Sequence, residues 1–370
     1  MSDPLLEAAK LFDIRQQRSA PKPGEVAPFP ALNYADLKPE EWEWLWTGRF
    51  PLGEVSYLEG YAGDGKSSVM ADMVAHVSDG VGLAADQDRP PAGVIWFTTE
   101  ESPTKTIVKR LKLAGARMAN VRHIDTVALD KERTNLSGFT FPSGRGRLSS
   151  SVSHYAREMG VPVRLVVIDG VLSIFDRGMD MNSAQDVRVM LGALRSVAQE
   201  HNLAVICIRH PSKAKGGLAQ HRSGGSTAWN DFVRMSWLVG QEPGTEWNEY
   251  KRVLVSVKKN AGRAYPGLKF HTEWDEDAKE VRVIWDDICT MTADEVYAAR
   301  EAGNQQKASD EQINSALDVL RKEPGEVDVR KARSLLRGSG LPGDAAFKAL
   351  TKLNSEKRRR GYVPRDSEGE

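Results

Sequence analysis

From Glu54 onward the chain alternates short apolar runs with longer amphipathic stretches. The runs are Val55 to Leu58, Val94 to Thr98, Val121 to Val127, Leu165 to Ile168 and Ala204 to Ile208. Continuous Val/Ile-rich runs leave no polar face, so each reads as a strand buried on both sides. Strands separated by helices predict a mainly parallel sheet with helices over both faces, an α/β core. Later runs, Phe232 to Val239, Arg252 to Val257, Leu268 to Trp274 and Glu280 to Trp285, have shorter connections. The last two flank Asp275-Glu276-Asp277 and predict a hairpin.

The two ends differ from this pattern. Residues 1–45 read as a flexible arm: a Pro-rich polar stretch, Ala20 to Pro30, is followed by Trp42, Trp44 and Trp46, aromatics through which it would dock. The core is placed at 46–290. Polar residues Gly303 to Ser309 predict a linker within 291–309, and 310–370 reads as a small helical domain. Its apolar positions fall in three groups: Ile313, Leu317 and Leu320; Val329, Leu335 and Leu336; Phe347, Leu350 and Leu353. Three short amphipathic helices with the Gly338 to Gly343 turn suggest a winged-helix or helix-turn-helix module. Two domains also suit 370 residues, more than one core usually organises.

Charge changes the picture only locally. Lys plus Arg and Asp plus Glu balance at 51 each, so whole-chain charge gives no argument for nucleic acid. Between Val329 and Arg360, however, ten Lys/Arg face two acids, Asp344 and Glu356, the footprint that DNA binding needs. A protein-docking domain is the competing account. Two distant cysteines, Cys207 and Cys289, support neither disulfide nor zinc site. No apolar run approaches the roughly 20 residues that cross a bilayer, and a cytoplasmic protein with no membrane contact is expected.

Gly60-Tyr61-Ala62-Gly63-Asp64-Gly65-Lys66-Ser67 fits G-x-x-x-x-G-K-[ST], after one predicted strand and at the start of a predicted helix. Glycines let consecutive N–H groups turn inward around phosphates, and the helix N-terminus favours their charge. Lys66 is expected at the β- and γ-phosphates of ATP, Ser67 on Mg²⁺, and Ser68 among the nucleotide contacts. The strand Arg164 to Asp169 ends in a carboxylate suited to the metal side. Gly170 follows it, so the water-polarising acid must come from elsewhere. Val94 to Glu101 ends in paired acids, of which Glu100 is the first candidate and Glu101 the second; the competing account is a solvated acidic helix start. A third strand runs into Arg209-His210-Pro211, which puts His210 near the γ-phosphate as a sensor or as an ordinary structural histidine.

In order and content these pieces, with Gly225 to Arg234, resemble the RepA-like hexameric replicative helicases within the wider RecA, DnaB and KaiC group. The match covers roughly Trp46 to Trp285. The resemblance implies a RecA-like P-loop ATPase core and a homo-hexamer that hydrolyses Mg-ATP while moving on single-stranded DNA; duplex contact through the C-terminal domain is a separate expectation from its basic charge. Glu100 then takes the place of the catalytic glutamate, His210 that of the γ-phosphate sensor, and Arg234 that of an arginine finger reaching the neighbouring subunit's ATP. Arg234 lies among Phe232, Val233, Met235 and Trp237, and an internal salt bridge is the competing account. Lys258 is a weaker candidate for a trans-acting cation. Lys213, Lys215, His221 and Arg222, among glycines, read as a mobile loop for phosphate backbone. Two departures stand out: Gly170-Val171 replaces the family's Pro-Leu, and the loop Lys213 to Gly225 differs in length. A recombinase or recombination mediator, and a DNA-binding regulator switched by ATP, are the alternative functions.

Overall fold

The computed structural model describes residues 32–84, 86–124, 139–211, 228–245, 250–263, 265–321, 349 and 351–353. Met1–Glu41 and Trp42–Glu370 are two separate units. Within the first, the described stretch 32–41 carries one 3-10 turn, Tyr34–Asp36, where the Asn33 side chain accepts the Ala35 N–H at 3.0 Å.

The second unit is organised by a nine-stranded sheet. A small antiparallel pair, β1 (Trp44–Trp46) and β2 (Phe50–Pro51), precedes it. The sheet contains β3 (Val55–Glu59), β4 (Gly93–Thr98), β5 (Val121–His123), β6 (Val163–Asp169), β7 (Ala204–Arg209), β8 (Met235–Gln241), β9 (Lys251–Lys259), β10 (Gly267–Asp275) and β11 (Glu280–Cys289), in the order β5-β4-β6-β7-β3-β8-β9-β10-β11. The strands from β5 to β8 are parallel, and β9, β10 and β11 add antiparallel. The expected hairpin is β10–β11, with Asp275 opposite Glu280.

Period-two alternation divides the core between the two faces. Leu58, Val94, Trp96, Val167, Ile206 and Trp237 pack with α1 (Lys66–Asp79) and with α2 (Val108–Leu113). Tyr57, Ile95, Phe97, Val166, Ile168 and Val205 pack with α3 (Arg145–Met159) and α4 (Ala184–His201). Helix α4 shows the local logic. Ser183 accepts the Asp186 N–H, Val187, Met190, Leu191, Leu194, Val197 and Ala198 return every three or four residues to one buried face, and Asn202 ends the helix in the left-handed region. After the five-residue helix α5 (Ala228–Phe232), α6 (Ala293–Arg321) packs Val296 and Tyr297 against Leu238, Val253 and Val255.

Three sequence boundaries move. Trp44 pairs in β1, and Trp46 is buried against Phe50 and Trp285, with ring centroids 6.1 and 5.5 Å away, so the first unit ends at Glu41 and not at 45. One of the rings that bury Trp46, Trp285, is supplied from far along the chain. Phe232 ends α5 and the strand begins only at Met235, because an apolar run alone does not separate a helix end from a strand. The polar stretch Gly303 to Ser309 lies inside the continuous helix α6. Gln305, Gln306, Lys307 and Ala308 are good helix formers, and polar composition alone does not make the backbone irregular. Leu317 and Leu320 are buried on that helix, and Leu353 is buried beyond it. Val329, Leu335, Leu336, Phe347, Leu350 and the basic run Lys357 to Arg360 lie outside the described residues, as does the winged-helix reading built on them. Among the described residues, no helix is long and apolar enough to cross a membrane.

Candidate active site

Sheet register brings the candidate residues together. Thr98 pairs with Asp169, Asp169 with Ile208, and Ile208 with Leu58, so the C-terminal ends of β4, β6, β7 and β3 stand level. Each is followed immediately by a chemically active segment: Glu100 and Glu101 after β4, Asp169 at the end of β6, His210 after β7, and Gly60 to Ser67 after β3. The site lies beside β3, where the order of parallel strands reverses direction, the usual place for a ligand in such a sheet.

The loop after β3 is closed by its own hydrogen bonds. A Cβ at Gly60 would stand 2.5 Å from the Val239 carbonyl oxygen of β8, so only glycine permits the loop to leave the sheet this closely. The Tyr61 N–H donates to Asp64 Oδ2 at 2.9 Å, the Asp64 N–H donates to the Tyr61 carbonyl at 3.2 Å, and Lys66 Nζ donates to the same carbonyl at 2.9 Å. Helix α1 starts at Lys66 and aims the positive end of its dipole at the loop. Burial pushes the Lys66 ammonium below the usual lysine range, against the opposing pull of Asp64, Asp169, Glu100 and Glu101.

The paired acids separate into two environments. Glu101 accepts two hydrogen bonds from Arg110 Nη1, at 2.9 and 2.6 Å. Burial raises its carboxyl, but the Ser67 hydroxyl and Arg110 outweigh that and hold it below the usual glutamate range. Glu100 is exposed, with Oε2 3.4 Å from His210 Nε2. Thr98, which the sequence did not single out, ties both acids to the metal-side carboxylate. Its hydroxyl donates to Asp169 Oδ2 at 3.2 Å and accepts the N–H groups of Glu100 and Glu101 at 3.1 and 3.3 Å. A hydroxyl at a strand end was visible in the sequence; its cross-strand partner was not. Asp169 is 2 % exposed, and its carboxyl is pushed up to about 6, first by burial and then by Glu100 and Glu101, with Thr98 and Lys66 pulling back. Gly170 has φ +87°, and a Cβ there would stand 2.6 Å from Thr99 Oγ1. Proline requires φ near −65°, so this turn accounts for the Gly-Val departure from Pro-Leu.

His210 joins the loop to the acid. Nδ1 lies 3.1 Å from the Gly60 carbonyl and 3.4 Å from Lys66 Nζ. A neutral ring with its proton on Nδ1 donates to Gly60, whereas a proton on Nε2 lets Nδ1 accept from Lys66 and Nε2 donate to Glu100. The ring thus has two alternative hydrogen-bond sets.

Arg234 is not part of this assembly. It immediately precedes β8, whose Met235 pairs with Ser56 near the start of β3, roughly 15 Å along the strand from the phosphate loop. Its side chain is exposed and makes no ion pair among the described residues. Lys258 and Lys259 pair opposite Ser236 and Met235 at the same end of the sheet. Lys258 is already engaged: Nζ donates to the Asn230 and Asp231 carbonyls at 2.6 and 3.1 Å and so caps α5. The basic stretch Lys213 to Arg222 lies outside the described residues.

The donor set fits Mg²⁺. Ser67 and Asp169 offer hard oxygen ligands, and Asp169 carries more negative charge around it than Lys66 offsets, which a divalent cation would relieve. Among the described residues no cluster of three or more His, Cys, Asp or Glu forms a metal site.

No curated protein matches the chain. The model of the family described as the AAA domain matches residues 20–216, more than half of the 370. That span contains the phosphate loop, the paired acids, Asp169 and His210. The chain belongs to the AAA domain family, and it is an ATPase of the P-loop type.

Proposed function

We propose that the protein is a ring-forming DNA motor, a RepA-like hexameric helicase that hydrolyses Mg-ATP between subunits while moving on single-stranded DNA. The observation that carries this reading is the position of Arg234. An exposed arginine without an ion pair among the described residues, at the end of β8 opposite the phosphate loop of its own chain, suits a finger for the loop of a neighbour. Within one subunit, Lys66 and the loop N–H groups bind the β- and γ-phosphates. Glu100 orients the attacking water and takes its proton, and Glu101 holds the Ser67 hydroxyl and Arg110 in place. Ser67 and Asp169 would hold Mg²⁺, which when bound would offset charge at the transferring phosphoryl group. His210 reports loss of the γ-phosphate by exchanging one hydrogen-bond set for the other, and the basic stretch Lys213 to Arg222 follows it directly in sequence as a DNA contact.

The test mixes two inactive proteins, Arg234→Ala and Lys66→Ala. Some interfaces of a mixed ring join an intact loop to an intact arginine, so part of the ATPase activity returns. Absence of recovery in rings shown by native mass spectrometry to contain both subunits assigns Arg234 to its own subunit and removes the support for catalysis in trans.

A further inference from the structure

The phosphate loop carries an acid, Asp64, where the ligand is a polyanion. Asp64 is buried, and its two carboxylate oxygens are divided between two partners. Oδ2 accepts the Tyr61 N–H at 2.9 Å and so closes the loop; Oδ1 accepts from Arg300 Nη1 at 2.6 Å. Arg300 comes from α6, 236 residues further along the chain. Its guanidinium lies over the Tyr61 ring, 4.2 Å from the centroid, and Tyr297, one turn earlier on α6, meets the same ring edge-on at 6.2 Å. One helix therefore grips the loop at two residues three positions apart, by charge on Asp64 and by ring contact on Tyr61.

We infer that Arg300 is a positioning residue for nucleotide binding in its own subunit: it cancels the charge of Asp64 and fixes the loop curvature that Asp64 and Tyr61 set. This goes beyond the motor reading but rests on ATP occupying the loop. Without Arg300, Asp64 loses its ion pair within the loop that must receive the phosphates, and its charge is then offset by Lys66 and Arg252, neither of which forms an ion pair with it among the described residues. The carboxylate is 7 % exposed and the arginine 32 %, so water screens the pair only in part. A hydrogen bond between charged groups contributes enough that its loss should weaken ATP and ADP binding by about 10- to 100-fold. Chemistry is spared, because Arg300 touches neither Glu100 nor Asp169 in the hydrogen bonds described; kcat at saturating ATP stays close to wild type while KM rises.

The discriminating variant is Asp64→Asn in the Arg300→Ala background. Asparagine keeps an oxygen for the Tyr61 N–H and removes the charge, so the double variant should recover most of the lost affinity. A helix anchor with no role at the loop gives a different pattern: Arg300→Ala would lower Tm while nucleotide affinity stayed the same, and Asp64→Asn would rescue nothing. The experiment is a titration of the full chain with a fluorescent ATP analogue, at low and high ionic strength, on wild type, Arg300→Ala, Arg300→Lys and the double variant. The expected result is weak binding by Arg300→Ala that improves as salt rises, substantial recovery with Arg300→Lys, and recovery in the double variant. Wild-type affinity in Arg300→Ala, or no recovery in the double variant, overturns the inference and leaves the ATPase reading standing. Failure of the wild-type protein to bind nucleotide removes both.

Discussion

The assignment of roles to the paired acids can be separated by one change at each. Glu100→Gln keeps the side chain's size and its reach toward His210, 3.4 Å away, but removes the base. Because Glu100 is exposed and has no arginine partner among the described residues, the fold loses little. Turnover should fall by roughly 10²- to 10⁴-fold, the usual contribution of a positioned base, with ATP affinity preserved. Glu101→Gln should do the reverse. It weakens two charged hydrogen bonds from Arg110 and the acceptor for Ser67. Arg110 Nε also lies 3.2 Å from Glu280, and the Glu101 and Arg110 side chains are 23 and 18 % exposed, which limits the cost to about 1–2 kcal/mol of stability. The assay is phosphate release at saturating Mg-ATP, with nucleotide affinity and thermal unfolding measured on the same samples. Wild-type turnover in Glu100→Gln, or loss of turnover in a Glu101→Gln protein that is still folded and binds ATP, refutes the reasoning and exchanges the roles.

Thr98→Val preserves shape but removes the hydroxyl shared by Asp169 and the Glu100 and Glu101 N–H groups; turnover should drop more than ATP affinity, and a variant with unchanged kcat would show that the bridge is dispensable. Asp169 supplies a pH test. Its rise from 3.8 to about 6 means that its contribution to stability is fully present below the unfolded pKa and lost as pH rises through about 6, a difference of roughly 3 kcal/mol. In Mg²⁺-free solution Asp169→Asn should therefore raise Tm at pH 7.5 but not near pH 4, and Mg²⁺ should raise the wild-type Tm more at pH 7.5 than at pH 5; equal Tm shifts at both pH values would contradict the buried charge. Deleting residues 322–370, which leaves α6 whole, should preserve ATP hydrolysis and weaken DNA binding with a shallower salt dependence, because the ten Lys/Arg between Val329 and Arg360 leave with the segment. An unchanged salt slope in a DNA titration assigns the segment to another partner.

The parallel core was legible because its cause is local. Apolar runs such as Val94 to Thr98 and Leu165 to Ile168 announce strands buried on both faces, and Gly60 to Ser67 carries its chemistry in eight consecutive residues. The loop's supports were not legible because their partners are remote in sequence. Thr98 reaches Asp169 across 71 residues, and Arg300 reaches Asp64 across 236. Polar composition misled at Gly303 to Ser309, where one glycine and a polar run looked like a linker but the intervening residues have the propensity to sustain a helix. At Trp44 and Trp46 the sequence showed aromatics without showing Phe50 and Trp285, the rings that bury Trp46. At Arg234 the apolar neighbours left a finger in trans and an internal salt bridge both open, and the side chain is exposed at the end of the sheet.

The motor reading stands most directly on strand displacement. A forked duplex with one labelled strand is incubated with the full chain, Mg²⁺ and ATP, beside Lys66→Ala and Glu100→Gln proteins at equal concentration. ATP-dependent release of the labelled strand by the wild-type protein alone is the predicted result, accompanied by hydrolysis that single-stranded DNA accelerates. Hydrolysis without strand release, or release that persists in Lys66→Ala, would contradict a DNA motor driven from this phosphate loop.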